Sequence, residues 1–171
     1  MKLGTGQKGF TLIELLVVLS ISAFITAAAS MTVITMMRLA PRNSDYAITL
    51  RQVENAGHWI SRDVEMSKGQ ITVDNSGTAG TQFLSMTVPQ NPTDNITIFY
   101  QWDDQDMPEG QLRLIRNDPT AGEQAMVAQY ISGASAGYSS DNCTLQLSIS
   151  ADSGSITVTR QYQALQRVPS Q

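Results

Sequence analysis

From Phe10 to Met37 the chain reads FTLIELLVVLSISAFITAAASMTVITMM. Glu14 is the only charge in this run, and neither Gly nor Pro interrupts it. The pattern predicts one continuous apolar helix. About 20 residues, rising about 1.5 Å each, cross the hydrocarbon core of a bilayer, so the run is long enough to span it with about two turns to spare. Ahead of it lies MKLGTGQKG, residues 1–9, polar and glycine-rich, with Lys2 and Lys8 as the only charged side chains. A secretory signal would place a shorter apolar core before a small-residue cleavage site. Here the polar segment comes first and the run behind it is too long, so residues 1–9 read as a leader.

Glu14 is the most informative residue. A carboxylate at the centre of a membrane helix costs about 2.5–3.5 kcal/mol and usually marks function. A cut between Gly9 and Phe10 would create an amino group four residues from Glu14, about 6 Å of helix rise. Within one helix the two charges attract; between staggered neighbouring helices they can neutralise each other and fix the axial offset. The alternative is that Glu14 sits near the cytoplasmic interface and snorkels to water.

The stretch Lys8-Gly9-Phe10-Thr11-Leu12-Ile13-Glu14-Leu15-Leu16-Val17-Val18 resembles the cleavage site and N-terminal helix of type IV prepilins and type II secretion pseudopilins. The resemblance covers roughly residues 1–37. It implies cleavage after Gly9 by a membrane prepilin peptidase, N-methylation of Phe10 by the same enzyme, and a role for Glu14 in recruitment into a filament. It further implies, as partners, other pilin or pseudopilin subunits, an inner-membrane assembly platform and, before assembly, membrane lipid. The resemblance places the C-terminal part outside the cytoplasm, because Lys2 and Lys8 on one side and Arg38 and Arg42 on the other leave orientation undecided.

Arg38, Pro41 and Arg42 form a basic collar at which the span ends and the helix kinks or breaks. Beyond it Tyr46, Leu50, Val53, Gly57, Ile60 and Val64 recur at spacings of four and three, the mark of one buried helical face. Arg51, Glu54, His58, Arg62 and Glu65 fall on another, solvent-side face. Gly57 is expected to admit a close backbone neighbour, and Trp59 to complete the core or meet a filament neighbour. Helix stop signals lie at Met66-Ser67-Lys68-Gly69.

After Gly69 short β-branched or alternating runs are separated by turn residues: 70–73, 82–88, 95–102, 111–116, 124–131, 144–150 and 155–162. Short connections favour antiparallel hairpins, the clearest around Asp152-Ser153-Gly154. An antiparallel sheet with one apolar face can take the amphipathic helix as its cover. The fold class is therefore α+β and pilin-like. It divides into a leader 1–9, a transmembrane or filament-core helix 10–37, an amphipathic helix 38–68 and a β-rich head 69–171. The runs Ile98 to Trp102, Gln111 to Arg116 and Met126 to Ala128, with two closing strands, lean toward a minor pilin or J-type minor pseudopilin.

Eleven Lys and Arg against fifteen Asp and Glu leave no basic tract, which argues against nucleic-acid binding. Cys143, the only cysteine, rules out an intramolecular disulfide and reads as a small apolar residue in a strand from Asn142 to Ile149, or as half of an intermolecular bridge. A hydrolase would have to use His58, the only histidine, with no nucleophile motif in the chain, so no catalytic residue is assigned. Asp103, Asp104, Asp106 and Glu109 form one acidic loop, a solvated hairpin connection by preference and a weak calcium candidate, since its spacing fails the EF-hand pattern. No other cofactor is expected. Two functional classes remain: a filament subunit, and a single-span anchored surface binding protein that never polymerises.

Overall fold

A computed structural model of the protein describes residues 10–89, 94–119 and 121–167. Helix α1 is Leu12–Met66, and seven strands follow: β1 Lys68–Val73, β2 Gln82–Pro89, β3 Asn95–Asp103, β4 Leu112–Asp118, β5 Glu123–Ser139, β6 Thr144–Ser153 and β7 Ile156–Leu165. The chain divides at Pro41 into two compact units. The sequence suggested a kink or a break at this proline, yet Pro41 lies inside the helix. Its missing N–H leaves the Met37 carbonyl without the usual helical donor.

The second unit is an α+β layer. Its sheet is a seven-stranded antiparallel meander in the order β1 to β7. On β3, Ile96, Ile98, Tyr100 and Trp102 alternate inward, and on β6 Leu145, Leu147, Ile149 and Ala151 do the same. Against this face the helix buries Thr49, Val53, Ala56, Gly57, Ile60, Asp63 and Val64. The helical stripe is therefore shifted from its expected start: Tyr46 is exposed and the buried face begins at Thr49. Each fully buried Val, Ile or Leu contributes about 1.5–3 kcal/mol relative to exposure.

Gly57 does admit a close neighbour, but that neighbour is a side chain. A Cβ there would fall 2.2 Å from Cζ of Tyr162. The Tyr162 ring lies in that gap, and its hydroxyl donates to the Val53 carbonyl at 3.1 Å. Trp59 is half-buried and packs against the core. The guanidinium groups of Arg62 and Arg116 each lie 5.6 Å from its ring.

Three further departures from the sequence reading have local causes. β5 extends eight residues past the expected Ile131, through Gly133, Ala134, Ser135 and Gly137, residues of low strand propensity that only tertiary pairing recruits. It pairs with β4 through Ile131 and with β6 from Ile131 onward, with register shifts at the change and Tyr130 at a φ of 58°. The helix serves this irregularity: the Gln52 carboxamide oxygen accepts from the Gln129 N–H at 2.9 Å. Next, the β6–β7 loop is Gly154-Ser155, one step later than expected, with left-handed Gly154 at its first position. Lastly, Cys143 is a half-exposed turn residue at a φ of 48°, one position before β6, and not a strand residue.

One polar cluster is buried between helix and sheet. Asp63, 1% exposed, accepts from Arg116 Nε at 2.6 Å and from the Tyr100 hydroxyl at 2.6 Å. Asp63 falls on the helix face that the sequence pattern assigned to apolar residues. A buried carboxylate survives there because the sheet brings it a guanidinium and a hydroxyl; removing one member of such an ion pair costs about 3–5 kcal/mol.

Burial, and then the Asp63 charge, push the Tyr100 hydroxyl well above its ordinary pKa. The fold favours the protonated phenol, so this stabilisation is intact below the ordinary value of about 10 and is lost as pH rises from there toward the folded value. Tyr100→Phe is expected to cost about 1.5–3 kcal/mol at about pH 8, the range for a hydrogen bond to a charged acceptor. Urea unfolding at about pH 8 and about pH 11 should show the gap between wild type and variant narrowing at the higher pH. An unchanged gap contradicts the assignment.

Candidate functional site

The first unit consists of the apolar part of α1. From Phe10 to Leu39 every side chain is exposed, including Leu12, Ile13, Leu16, Phe24, Ile25 and Met31. The helix is long and apolar enough to cross a membrane. Most of its hydroxyl groups bond back to the helix: Ser20 donates to the Leu16 carbonyl, Thr26 to Ser22, Ser30 to Thr26 and Thr35 to Met31, each at 2.8 Å. The helix thus presents an apolar surface on which these hydroxyls need nothing from water.

At the N-terminal end Phe10 and Thr11 precede the helix, which begins at Leu12. Thr11 is the cap. Its N–H donates to Glu14 Oε2 at 3.0 Å and its hydroxyl donates to the same oxygen at 2.9 Å. In return the Glu14 N–H reaches the Thr11 hydroxyl oxygen at 3.4 Å. This reciprocal Thr-x-x-Glu arrangement is a capping box, which satisfies two of the backbone donors left open at a helix start. Negative charge in the first turn also suits the positive end of the helix dipole.

Glu14 is therefore not the bare carboxylate that the sequence suggested. Oε2 is held by Thr11, and among the described residues Oε1 has no hydrogen-bond partner. One oxygen is tied to its own helix and the other remains open to a cation. Thr11 is a functional residue outside the charge pattern, and Ser or Thr three residues before an acid, at the head of an apolar run, is the sequence signal for this cap. Gly9, with the rest of residues 1–9, lies outside the described residues.

Residues 4–30 match the prokaryotic N-terminal methylation motif. That stretch contains the Gly9-Phe10 junction, Thr11, Glu14 and the first three-quarters of the apolar run. It supports the resemblance to type IV pilin-like prepilins over the segment that carries it. No curated protein and no solved structure matches the chain.

The remaining sequence candidates lie elsewhere. The Gln105 N–H and the Arg113 guanidinium engage Asp103 and hold its carboxyl below the ordinary range. Asp104, Asp106 and Glu109 are exposed in the loop that follows β3. Among the described residues no group of three or more acidic, histidine or cysteine side chains is placed to hold a metal ion. His58 is exposed on the helix, and Cys143 lies in the turn before β6.

Thr11→Val keeps the branched shape and removes the hydroxyl. Loss of the cap should cost about 1 kcal/mol at the helix start. Amide exchange of Leu12 to Leu15 in detergent micelles should accelerate about fivefold, with no change from Ser20 onward. Unaltered exchange at the first turn would show that the box does not hold the helix end.

Proposed function

We propose that the chain is a structural subunit of a type IV pilus-like or type II secretion-like filament, processed at Gly9-Phe10, methylated on Phe10 and assembled through its apolar helix. The observation that carries this reading is the methylation-motif match over residues 4–30, together with a fully exposed apolar helix that has an acid in its first turn. The cap engages one oxygen of that acid, and an inert anchor has no need of the other. After cleavage, the Phe10 amine of one subunit is the natural cation for the open oxygen of Glu14 in the next. Moving the helix from lipid into a bundle of like helices exchanges one apolar surrounding for another, so assembly exposes little of it to water.

In this reading the partners are a prepilin peptidase, other pilin or pseudopilin subunits and an inner-membrane assembly platform. The precursor is a single-pass protein of the cytoplasmic membrane with its head outside the cytoplasm. Its work is assembly and not catalysis. The strand succession of the head favours a minor pilin or J-type minor pseudopilin as the subclass.

N-terminal sequencing and intact mass of the protein from its own membranes should give a chain that begins at methylated Phe10. An intact Met1 would support a permanently anchored binding protein instead. Glu14→Ala should still be cleaved and inserted, yet enter filaments roughly tenfold less well beside wild-type subunits, the factor for about 1.4 kcal/mol of lost pairing. Normal incorporation would overturn the charge-pairing account.

A further inference from the structure

The capping box fixes more than the end of a helix. The first backbone bond of the ladder runs from the Leu15 N–H to the Thr11 carbonyl at 3.2 Å. To draw in one more residue, the Glu14 N–H would have to reach the Phe10 carbonyl. It is turned instead to the Thr11 hydroxyl oxygen at 3.4 Å. The Thr11 N–H is also taken, by Glu14 Oε2 at 3.0 Å. Phe10 therefore stays exposed outside the helix, which begins two residues after it at Leu12.

This matters for the bond between Gly9 and Phe10. A peptidase must align the backbone on both sides of the bond it cuts, and in a helix those groups are spent on the ladder and shielded by the neighbouring turn. A helix that grew through Phe10 would close the junction. A helix that frayed past Leu12 would leave the junction at no fixed distance from the apolar run. The cap opposes both, because its three hydrogen bonds form together only when the helix starts at Leu12.

We propose that Thr11 is a positioning residue for cleavage, holding the Gly9-Phe10 bond in non-helical chain at a set distance from the membrane helix. The inference rests on reading the chain as a prepilin-type precursor, and the motif match over residues 4–30 spans both the junction and Thr11. The reaction is a hydrolysis. The bond from the Gly9 carbonyl carbon to the Phe10 nitrogen breaks; water gives its hydroxyl to the Gly9 carboxyl and a proton to the new Phe10 amine. Thr11 touches neither atom and acts through the conformation offered to the peptidase. Apparent affinity falls by the fraction of precursor that leaves that conformation, and loss of an N-cap side chain shifts such a population up to about fivefold.

The test incubates the full-length precursor, in detergent micelles, with prepilin peptidase from the same cells and follows loss of residues 1–9 by intact mass. Thr11→Val keeps the shape and loses the cap; Thr11→Ser and Thr11→Asn change the shape and keep a cap. KM should rise up to about fivefold for Thr11→Val at unchanged kcat, and stay within about twofold of wild type for the other two. In the same micelles the Leu12 Cα shift should lose helical character in Thr11→Val alone. The proposal is overturned if Thr11→Val is cleaved with wild-type KM, or if Thr11→Asn is as poor as Thr11→Val, which would mean that the peptidase reads side-chain shape. A wild-type precursor that is not cut at Gly9-Phe10 removes the processing reading and this inference with it; a cut wild type beside an indifferent Thr11→Val removes the inference alone.

Discussion

An apolar helix with no protein packed on it has to find cover, and lipid or other helices of the same kind are the two surroundings that supply it. From Phe10 to Met37 the chain offers such a surface, broken only by Glu14, with most of its hydroxyls bonded back to its own carbonyls. Everything at the N-terminus follows from that constraint. The helix needs a defined start, which the Thr11–Glu14 box provides. In the proposed filament it also needs a means of choosing one axial offset among many similar apolar contacts, because dispersion between smooth aliphatic surfaces discriminates poorly. A single acid with one oxygen committed and one open is suited to that choice.

In the second unit the corresponding specificity comes from buried polarity. Val53, Ile60 and Val64 would pack nearly as well after a slip along the sheet, but Asp63 would not. It must meet both Arg116 and Tyr100, and Gly57 must stand over the Tyr162 ring. Two amides close the opposite side. Asn75 exchanges a pair of hydrogen bonds with the backbone of Ala136, and Gln166 ties Ser67 and Gly69 together. These contacts convert a layer of interchangeable aliphatic residues into one arrangement.

The features legible in the sequence were those with local periodicity or local chemistry. The apolar run, the three–four spacing through Val53, Gly57, Ile60 and Val64, and the alternation of Ile96, Ile98 and Tyr100 each state their environment within a few residues. The second half of β5 was illegible because Gly133, Ala134 and Gly137 have no strand preference of their own and are held only by β6. Asp63 broke an apolar pattern for the sake of Arg116, 53 residues away. Cys143 looked like a strand residue beside Thr144 because a left-handed φ is unusual for cysteine, although Ser140, Asp141 and Asn142 before it favour a turn. At the candidate site Gly9, Phe10 and Glu14 were read from type and order; Thr11 was missed because its role is a hydrogen bond and not a charge.

In the proposed filament the apolar helix exchanges lipid for other helices. A spin label at Phe24→Cys, in a chain with Cys143→Ser, reports this through its accessibility to dissolved oxygen and to a polar relaxant. In membranes the label should be open to oxygen and closed to the polar agent, while in particles sheared from the cell it should be closed to both. A label that remains oxygen-accessible wherever the protein is found, with none recovered in sheared particles, would contradict the account.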